Sequence, residues 1–214
     1  MNIKERYKIV IEIFSKEMPV AETELHFRTT YELIVAVILS AQCTDKRVNI
    51  ITPEFFKSFP TAQILSEAKV EDIFDLIKSC SYPNNKAKNL LGMAQVLTNE
   101  YHGLVPDNLE DLQKMPGVGR KTANVIMSVA FGKPTMAVDT HVFRVAERIG
   151  LSIDAKNPLQ TELQLTHYFP EDLIPKAHHW LILHGRYICK ARKPQCSQCF
   201  IKDVCKSYPS FQEH

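Results

Sequence analysis

Residues 109–132 read LEDLQKMPGVGRKTANVIMSVAFG, the most informative stretch of the sequence. Residues 109–114 have the composition of a short helix, and Arg120 to Phe131 that of a second helix, which Gly132 ends. The turn between them, residues 115–119, combines proline and glycine as tight turns do. The stretch therefore predicts two helices joined by a tight turn, the arrangement called a helix-hairpin-helix.

The glycines of this turn predict a phosphate-binding site. Gly117 and Gly119, with only Val118 between them, let the backbone approach an anion closely. The N–H groups that begin the second helix, starting at Arg120, have no partner within that helix and point toward the anion. Such contacts hold DNA without reading its sequence. The alternative, an ordinary corner between two helices, is disfavoured by the length of the whole string.

Lys121 stands in the first turn of the second helix and is the candidate nucleophile. The positive end of the helix dipole and neighbouring Arg120 both disfavour a charged amine at this position. We therefore expect Lys121 to be uncharged more often than an isolated lysine. Neutral amines form Schiff bases with carbonyl-like carbons, which fits attack at C1′ of a deoxyribose held beside the hairpin. A lysine that only binds phosphate fits this position equally well.

Asp139 is the candidate partner of Lys121. It lies in Val138-Asp139-Thr140-His141, at or just before the N-cap of a helix that ends at Gly150. Its carboxylate could stabilise positive charge on the deoxyribose as a base departs, or relay a proton for the lysine. Direct contact would favour the charged amine, so we expect the sugar to lie between the two groups. A purely capping carboxylate is the alternative.

Four cysteines near the end of the sequence have the spacing of a metal site: Cys189, Cys196, Cys199 and Cys205. Zinc ribbons usually present two Cys-x-x-Cys pairs, whereas this run has one, with wider loops that suit a larger cubane. The spacing therefore favours one 4Fe-4S cluster over zinc. Two disulfides in a secreted domain are disfavoured, because residues 1–18 lack the apolar core of a signal peptide.

Charge is balanced over the sequence but concentrated near these cysteines. The 26 Lys and Arg residues against 24 Asp and Glu give a net charge of +2, so bulk charge gives no argument for nucleic acid. Between His184 and Lys206, six cations accompany a single acid, Asp203. Part of this excess could simply balance a negatively charged thiolate cluster.

Helical patterns dominate the remaining sequence. Apolar residues recur on one helical face over residues 3–18 and again over residues 90–101. Thr29 and Glu32 form a capping-box pattern before an apolar helix, which we expect at the centre of a domain. Thr52-Pro53 predicts a further helix start. Because hairpin turns and alternating strand patterns are absent, the sequence predicts an all-α fold.

The remaining cysteines and the histidines are predicted to have structural roles. Cys43 and Cys80 are expected to pack as small apolar side chains. Three histidines beside the single tryptophan are expected to hydrogen-bond in the core instead of binding metal: His178, His179 and His184. The longest apolar run, Leu33–Leu39, is far shorter than the roughly 20 residues that cross a bilayer. Together with the thiols, this predicts a cytoplasmic protein, associated with the nucleoid and without a membrane partner.

Taken in order, the hairpin, lysine, aspartate and cysteines resemble the endonuclease III family of DNA glycosylases and abasic-site lyases. The resemblance covers nearly the whole length. Its most specific segments, besides the cysteine spacing, are LSAQ at 39–42, MPGVGRKTA at 115–123, AVDTH at 137–141 and HHWLILHGR at 178–186.

The resemblance implies two helical domains with DNA bound in the cleft between them. One is a helical barrel of residues 22–132 that ends in the helix-hairpin-helix, at about 109–128. The other is an iron–sulfur domain of residues 1–21 and 133–214. Lys121 would attack C1′ of an oxidised pyrimidine nucleotide, expel the base and form an imine that permits β-elimination of the 3′ phosphate. Asp139 would assist both stages.

The family's DNA contacts carry over to matching positions. Gln42 would fill the space that the extruded base leaves, and Tyr82 would enter the opposite strand as a wedge. The remaining contacts would be to backbone phosphates, from Gly117, Val118, Gly119, Arg120, Lys190, Arg192 and Lys193. One segment departs from the family pattern, since Ser81 replaces a glycine and an aromatic residue replaces the aliphatic wedge.

Three other functions share part of this pattern. An adenine-removing mismatch glycosylase lacks a lysine at the position of Lys121, which makes it a poor match. A thymine-mismatch glycosylase of similar size stays open. A non-catalytic DNA-binding protein whose C-terminal cysteines bind structural zinc would need the glycines and cysteines but neither Lys121 nor Asp139. The favoured prediction is a monomer that acts on double-stranded DNA with damaged pyrimidines or abasic sites.

Overall fold

The computed structural model describes residues 1–211, and this part of the chain contains no β-strand. Its eleven α-helices are α1 (Ile3–Glu17), α2 (Thr30–Ser40), α3 (Asp45–Ser58), α4 (Ala62–Ser66), α5 (Val70–Ile77), α6 (Pro83–Tyr101), α7 (Leu109–Lys114), α8 (Arg120–Phe131), α9 (Thr140–Ile149), α10 (Pro158–Tyr168) and α11 (Ile174–Tyr187). The prediction of an all-α fold is confirmed. None of the helices within residues 1–211 has both the length and the apolar character that a membrane span needs.

The helices form two compact units, Glu24–Gly132 and Met1–Thr23 together with the chain from Lys133 onward. In the first unit, α2 lies at the centre, because every residue from Leu33 to Leu39 is buried. It packs against α3, α6 and α8. This burial confirms the central helix that the apolar run predicts.

The start of α2 is capped as its sequence predicts, with one difference. The Thr29 hydroxyl accepts the backbone N–H of Glu32 at 3.1 Å. The Glu32 carboxylate, however, accepts the N–H of Arg28 at 2.6 Å, one residue before the position expected in a capping box. Two N–H groups at the start of the helix thereby gain partners.

The predicted helix start at Thr52-Pro53 is wrong. Helix α3 begins after Thr44, whose hydroxyl accepts the N–H of Arg47 at 3.2 Å, and Pro53 lies inside the helix. Proline removes one backbone hydrogen bond there, which normally disfavours the helix. The buried face that carries Val48 and Phe55 continues on both sides of Pro53, so tertiary packing keeps the helix intact.

In the second unit, α1 is bound to the later part of the chain. The ring of Phe14 stacks on Trp180 of α11 with centroids 5.6 Å apart, and the Trp180 indole N–H donates to the Met18 carbonyl at 2.9 Å. The Tyr7 hydroxyl donates to the carbonyl of Leu151 at 2.7 Å. These contacts bury one face of α1 and assign it to the unit that also holds α9, α11 and the four C-terminal cysteines.

Candidate functional site

The turn between α7 and α8 is built from glycine for two separate reasons. Gly117 has φ +81°, a left-handed conformation that other residues rarely adopt, and a Cβ there would lie 3.0 Å from the Asn89 Cβ. Gly119 instead has an extended backbone and precedes α8, and a Cβ there would meet nothing within 4 Å. Gly119 therefore leaves open space in front of the N-terminus of α8, where an anion can approach the backbone N–H groups.

Lys121 lies exposed in the first turn of α8, one residue after Arg120. The turn before it is fixed by the N–H of Val118, which donates to the Met115 carbonyl at 3.0 Å. Val118 itself is buried, so its side chain anchors the turn. The predicted helix-hairpin-helix is thus present over the residues that the sequence assigned to it.

Asp139 is the N-cap of α9, as its sequence predicts. One carboxylate oxygen accepts the N–H groups of His141 and Val142, both at 2.8 Å. These two bonds hold the side chain in one orientation at the positive end of the helix, where a carboxylate is stabilised. Lys121 and Asp139 belong to different compact units. The catalytic roles of both residues stay predictions.

Gln42 and Tyr82 lie in two turns of the first unit and share an uncommon backbone. Both are exposed, and both have positive φ angles, of 54° and 55°. Such angles are uncommon for residues other than glycine. The left-handed conformation falls on Tyr82 and not on Ser81, the residue that replaces the family's glycine. The loop thus adopts a tight turn without that glycine, and it presents a tyrosine that is 63% exposed.

Two contacts between neighbouring residues connect the turns that carry Gln42 and Tyr82. The sulfurs of Cys43 and Cys80 lie 3.8 Å apart. The amine of Lys86, a residue that is only 5% exposed, donates to the Leu39 carbonyl at 2.7 Å. The sequence indicated neither contact, since pairing across 37 or more residues depends on how α2 and α6 pack.

The four C-terminal cysteines surround one space. They line one partly open cavity, with apolar side chains completing the wall at Ile149, Ile188 and Ile201. Among residues 1–211, no three His, Cys, Asp or Glu side chains converge closely enough to hold a single metal ion. Four thiols spread around one cavity instead fit a larger inorganic cluster.

Burial disfavours the ionised form of Cys196, Cys199 and Cys205 when no metal is bound. It raises the pKa of the Cys199 thiol to about 11, and it also raises the pKa values of Cys196 and Cys205. A bound cluster would reverse this preference, because coordination to iron stabilises thiolates. The cavity is therefore suited to thiolates that are paired with metal.

His184 and Arg148 each lie close to the sulfur of one of these cysteines. The His184 Nε2 lies 3.6 Å from the Cys199 sulfur, and burial lowers the pKa of His184 to about 4, so its ring is neutral at pH 7. A guanidinium nitrogen of Arg148 lies 3.6 Å from the Cys189 sulfur. His184 is buried in the core as expected, but its sequence position gave no sign of the cysteine contact. Arg148 on α9 was not foreseen.

Lys190, Arg192 and Lys193 are all exposed on the loop between the first two cysteines. The guanidinium of Arg148 donates to the carbonyls of Lys190 and Ala191, at 2.8 and 3.1 Å. The loop is thus held by its backbone while its cationic side chains face solvent. That arrangement suits contact with phosphates.

Comparison with known proteins identifies the family. Residues 35–171 match the model of the HhH-GPD superfamily base excision DNA repair proteins. Residues 189–205, which include all four C-terminal cysteines, match the iron-sulfur binding domain of endonuclease III. The C-terminal segment is therefore an iron–sulfur binding domain, as the spacing of its cysteines predicted.

Individual relatives match over almost the whole chain. The endonuclease III of Rickettsia felis is 48% identical over 201 residues, which cover 94% of each chain. That of Escherichia coli K12 is 42% identical over 206 residues, 96% of this chain and 97% of the other. A structure of a trapped endonuclease III–DNA covalent intermediate matches with a TM-score of 0.94 and 39% identity, covering 99% of this chain and 100% of that one. The chain belongs to the endonuclease III family, within the helix-hairpin-helix superfamily of base excision DNA repair proteins.

Proposed function

We propose that this protein is a bifunctional DNA N-glycosylase and abasic-site lyase that removes oxidised pyrimidines from double-stranded DNA. The observation that carries the proposal is the hairpin before α8, where an open helix N-terminus stands next to an exposed lysine. The first feature binds a phosphate, and the second supplies an amine within one helical turn of it. A protein that only binds DNA has no need of that lysine.

In the proposed reaction, the neutral amine of Lys121 attacks C1′ of the damaged nucleotide. The C1′–N bond breaks, its electron pair leaves with the base, and the base takes up a proton. One amine proton accounts for the proton on the base, and the other goes to O4′, which takes the electron pair of the C1′–O4′ bond as the sugar ring opens. An imine between Lys121 and C1′ results. Loss of a proton from C2′ then expels the 3′ phosphate by β-elimination. Water finally releases the lysine.

Asp139 is proposed to act on the sugar during these steps. One carboxylate oxygen of Asp139 accepts two backbone N–H groups, and these bonds fix its position at the start of α9. The carboxylate is therefore oriented before substrate arrives, and it can stabilise positive charge at C1′ as the base departs or move a proton for the amine.

DNA binding is proposed to combine three groups of contacts. The backbone of Gly117, Val118 and Gly119, with Arg120, holds one phosphate at the hairpin. Lys190, Arg192 and Lys193 contact further phosphates. Gln42 and Tyr82 replace the extruded nucleotide and separate the bases around it, since both are exposed on turns of the first unit.

We propose that Cys189, Cys196, Cys199 and Cys205 bind one 4Fe-4S cluster. When bound, the cluster supplies a fourfold cross-link between its ligands and a redox-active centre. The chain's own residues hold the cationic loop in place, through the contacts of Arg148 with the Lys190 and Ala191 carbonyls. We further propose that the enzyme acts as a monomer on DNA in the cytoplasm.

Borohydride trapping tests the lyase proposal. The protein is incubated with a duplex that contains one abasic site, and borohydride is added to reduce any imine to a stable amine. We expect a covalent protein–DNA adduct, which Lys121→Ala abolishes while binding to the same duplex persists. Binding without an adduct in the wild type would favour the non-catalytic alternative. Parallel duplexes with thymine glycol, dihydrouracil and a guanine–thymine mismatch distinguish oxidised-pyrimidine from thymine-mismatch excision.

A further inference from the structure

Two thiols outside the iron–sulfur domain lie close enough to react with each other. Cys43 and Cys80 are 37 residues apart in the sequence, yet their sulfurs are 3.8 Å apart, and both are free cysteines. Cys80 is 5% exposed, whereas Cys43 is partly accessible to solvent. The pair therefore has one sulfur that a small molecule can reach and one that is protected behind it.

The position of this pair in the first unit is specific. Cys43 directly follows Gln42, and Cys80 lies two residues before Tyr82. Gln42 and Tyr82, which both have a left-handed backbone, thus lie one and two residues from the two cysteines. A bond between the sulfurs would join the turn after α2 to the turn before α6 at this point.

The surroundings of the pair contain positive charge. Burial raises the pKa of Cys80 to about 11, and the nearby cations of Lys86 and Arg47 oppose that increase. The amine of Lys86 also ties the two elements together through the Leu39 carbonyl. The two turns are therefore already held side by side.

We propose that Cys43 and Cys80 form a redox modification site, in which a small-molecule disulfide converts the thiol pair into an intramolecular disulfide. The Cys43 thiolate attacks one sulfur of the oxidant, forms a mixed disulfide and releases one thiol. The Cys80 thiolate then attacks the Cys43 sulfur and releases the second thiol. Two protein thiols are oxidised, one external disulfide is reduced to two thiols, and the two protein protons end on the released thiols.

The consequence for activity rests on the proposed function. A disulfide bond brings its sulfurs to about 2 Å, so the pair must close by nearly 2 Å from its present separation of 3.8 Å. We expect part of this movement to fall on the backbone next to Gln42 and Tyr82. Because catalytic geometry tolerates misplacement of only about 1 Å, we expect the oxidised protein to excise lesions at least about tenfold more slowly.

The experiment uses the complete protein with its cluster, prepared without oxygen. It is incubated with oxidised glutathione, the remaining thiols are alkylated, and peptides are analysed by mass spectrometry without reduction. We expect a cross-linked pair of peptides that contains Cys43 and Cys80 and has lost two hydrogens. Cys80→Ala should instead accumulate glutathione on Cys43, because no second thiol resolves the mixed disulfide. Cys43→Ala should give no adduct at Cys80.

Excision is measured on the same samples, with iron content as a control for cluster loss. We expect the wild type to slow by about tenfold on oxidation and to recover on reduction, while the Cys43→Ala, Cys80→Ala double variant is unaffected. Failure to detect the cross-link at saturating oxidant overturns the modification site. A cross-link that leaves excision unchanged overturns its regulatory role. If the reduced wild type excises nothing, the proposed function fails. The peptide analysis still decides whether the disulfide between Cys43 and Cys80 forms.

Discussion

The guanidinium of Arg148 lies 3.6 Å from the sulfur of Cys189 and also donates to the carbonyl of the next residue, Lys190, at 2.8 Å. One side chain on α9 thus contacts a proposed cluster ligand and the backbone of the cationic loop. A second guanidinium nitrogen reaches the Ala191 carbonyl at 3.1 Å. This relationship connects α9 both to a proposed cluster ligand and to the loop proposed to bind phosphate.

Arg148→Lys should therefore weaken both the binding of the proposed cluster and the binding of DNA. Lysine keeps the charge, but it cannot span three acceptors with one planar group. Loss of hydrogen bonds from a charged donor costs about 1.5–3 kcal/mol each when the acceptors stay buried, and less at this partly exposed site. We expect lower iron retention on dialysis and weaker binding to an abasic-site duplex. The control, Arg28→Lys at an exposed position in the first unit, should match the wild type in both measurements.

The two glycines of the hairpin offer a matched pair of substitutions. Gly117→Ala places a side chain at φ +81° and 3.0 Å from the Asn89 Cβ, so we expect a loss of roughly 1–2 kcal/mol in stability. Gly119→Ala adds a methyl group to an extended residue with nothing within 4 Å, so its stability should stay close to that of the wild type. That methyl group nevertheless occupies the approach to the N-terminus of α8.

We therefore expect Gly119→Ala to lose affinity for DNA without losing stability. Urea unfolding and binding to an abasic-site duplex, measured on both variants, separate the two effects. Unchanged affinity in Gly119→Ala would show that phosphate does not approach α8 at this point.

Asp139 combines capping with its proposed catalytic role, and two substitutions separate them. Asn caps helices about as well as Asp, so Asp139→Asn should keep the bonds to His141 and Val142 and retain stability. It removes the charge, and we expect kcat to fall by about 10²–10⁴-fold, the usual range for a lost acid–base group.

Asp139→Ala removes both functions. We expect the same loss in kcat and, in addition, a loss of about 1 kcal/mol in stability. Single-turnover excision and thermal unfolding of both variants provide the measurements. Near-normal turnover in Asp139→Asn would leave Asp139 with capping as its function.

The lowered pKa of His179 makes the free energy of unfolding depend on pH in a predictable direction. Burial lowers its pKa, and a hydrogen-bonding contact with the Pro175 carbonyl at 2.9 Å offsets this only partly. In the unfolded chain, a histidine has a pKa of about 6.5. Below that pH the unfolded state binds a proton that folded His179 resists, so stability should fall as the pH decreases from about 6.5.

Urea unfolding at pH values from 7.5 to 5.5 measures this effect. His179→Gln should reduce the slope, whereas His26→Gln, at an exposed position, should leave it as in the wild type. Equal slopes in all three proteins would assign the pH dependence to other groups.

Local sequence was sufficient for much of the fold. The turn at Gly117, the N-cap at Asp139 and the buried run from Leu33 to Leu39 each depend on a few neighbouring residues, and each is present where the sequence placed it. The false helix start at Thr52-Pro53 has the same origin. Its local signal was genuine, but the buried face of α3 outweighed it.

The sequence by itself determined which chemical groups this protein carries: a lysine after a glycine turn, an aspartate at a helix start and four cysteines at cluster spacing. Their identities follow from short-range patterns, because turns, caps and chelating loops are set by residues within a few positions of one another. Only the tertiary structure decided which distant groups meet, such as Arg148 with Cys189 and Cys43 with Cys80. Those contacts depend on helix packing, in which many weak interactions along whole helix faces act together and no short motif records the outcome.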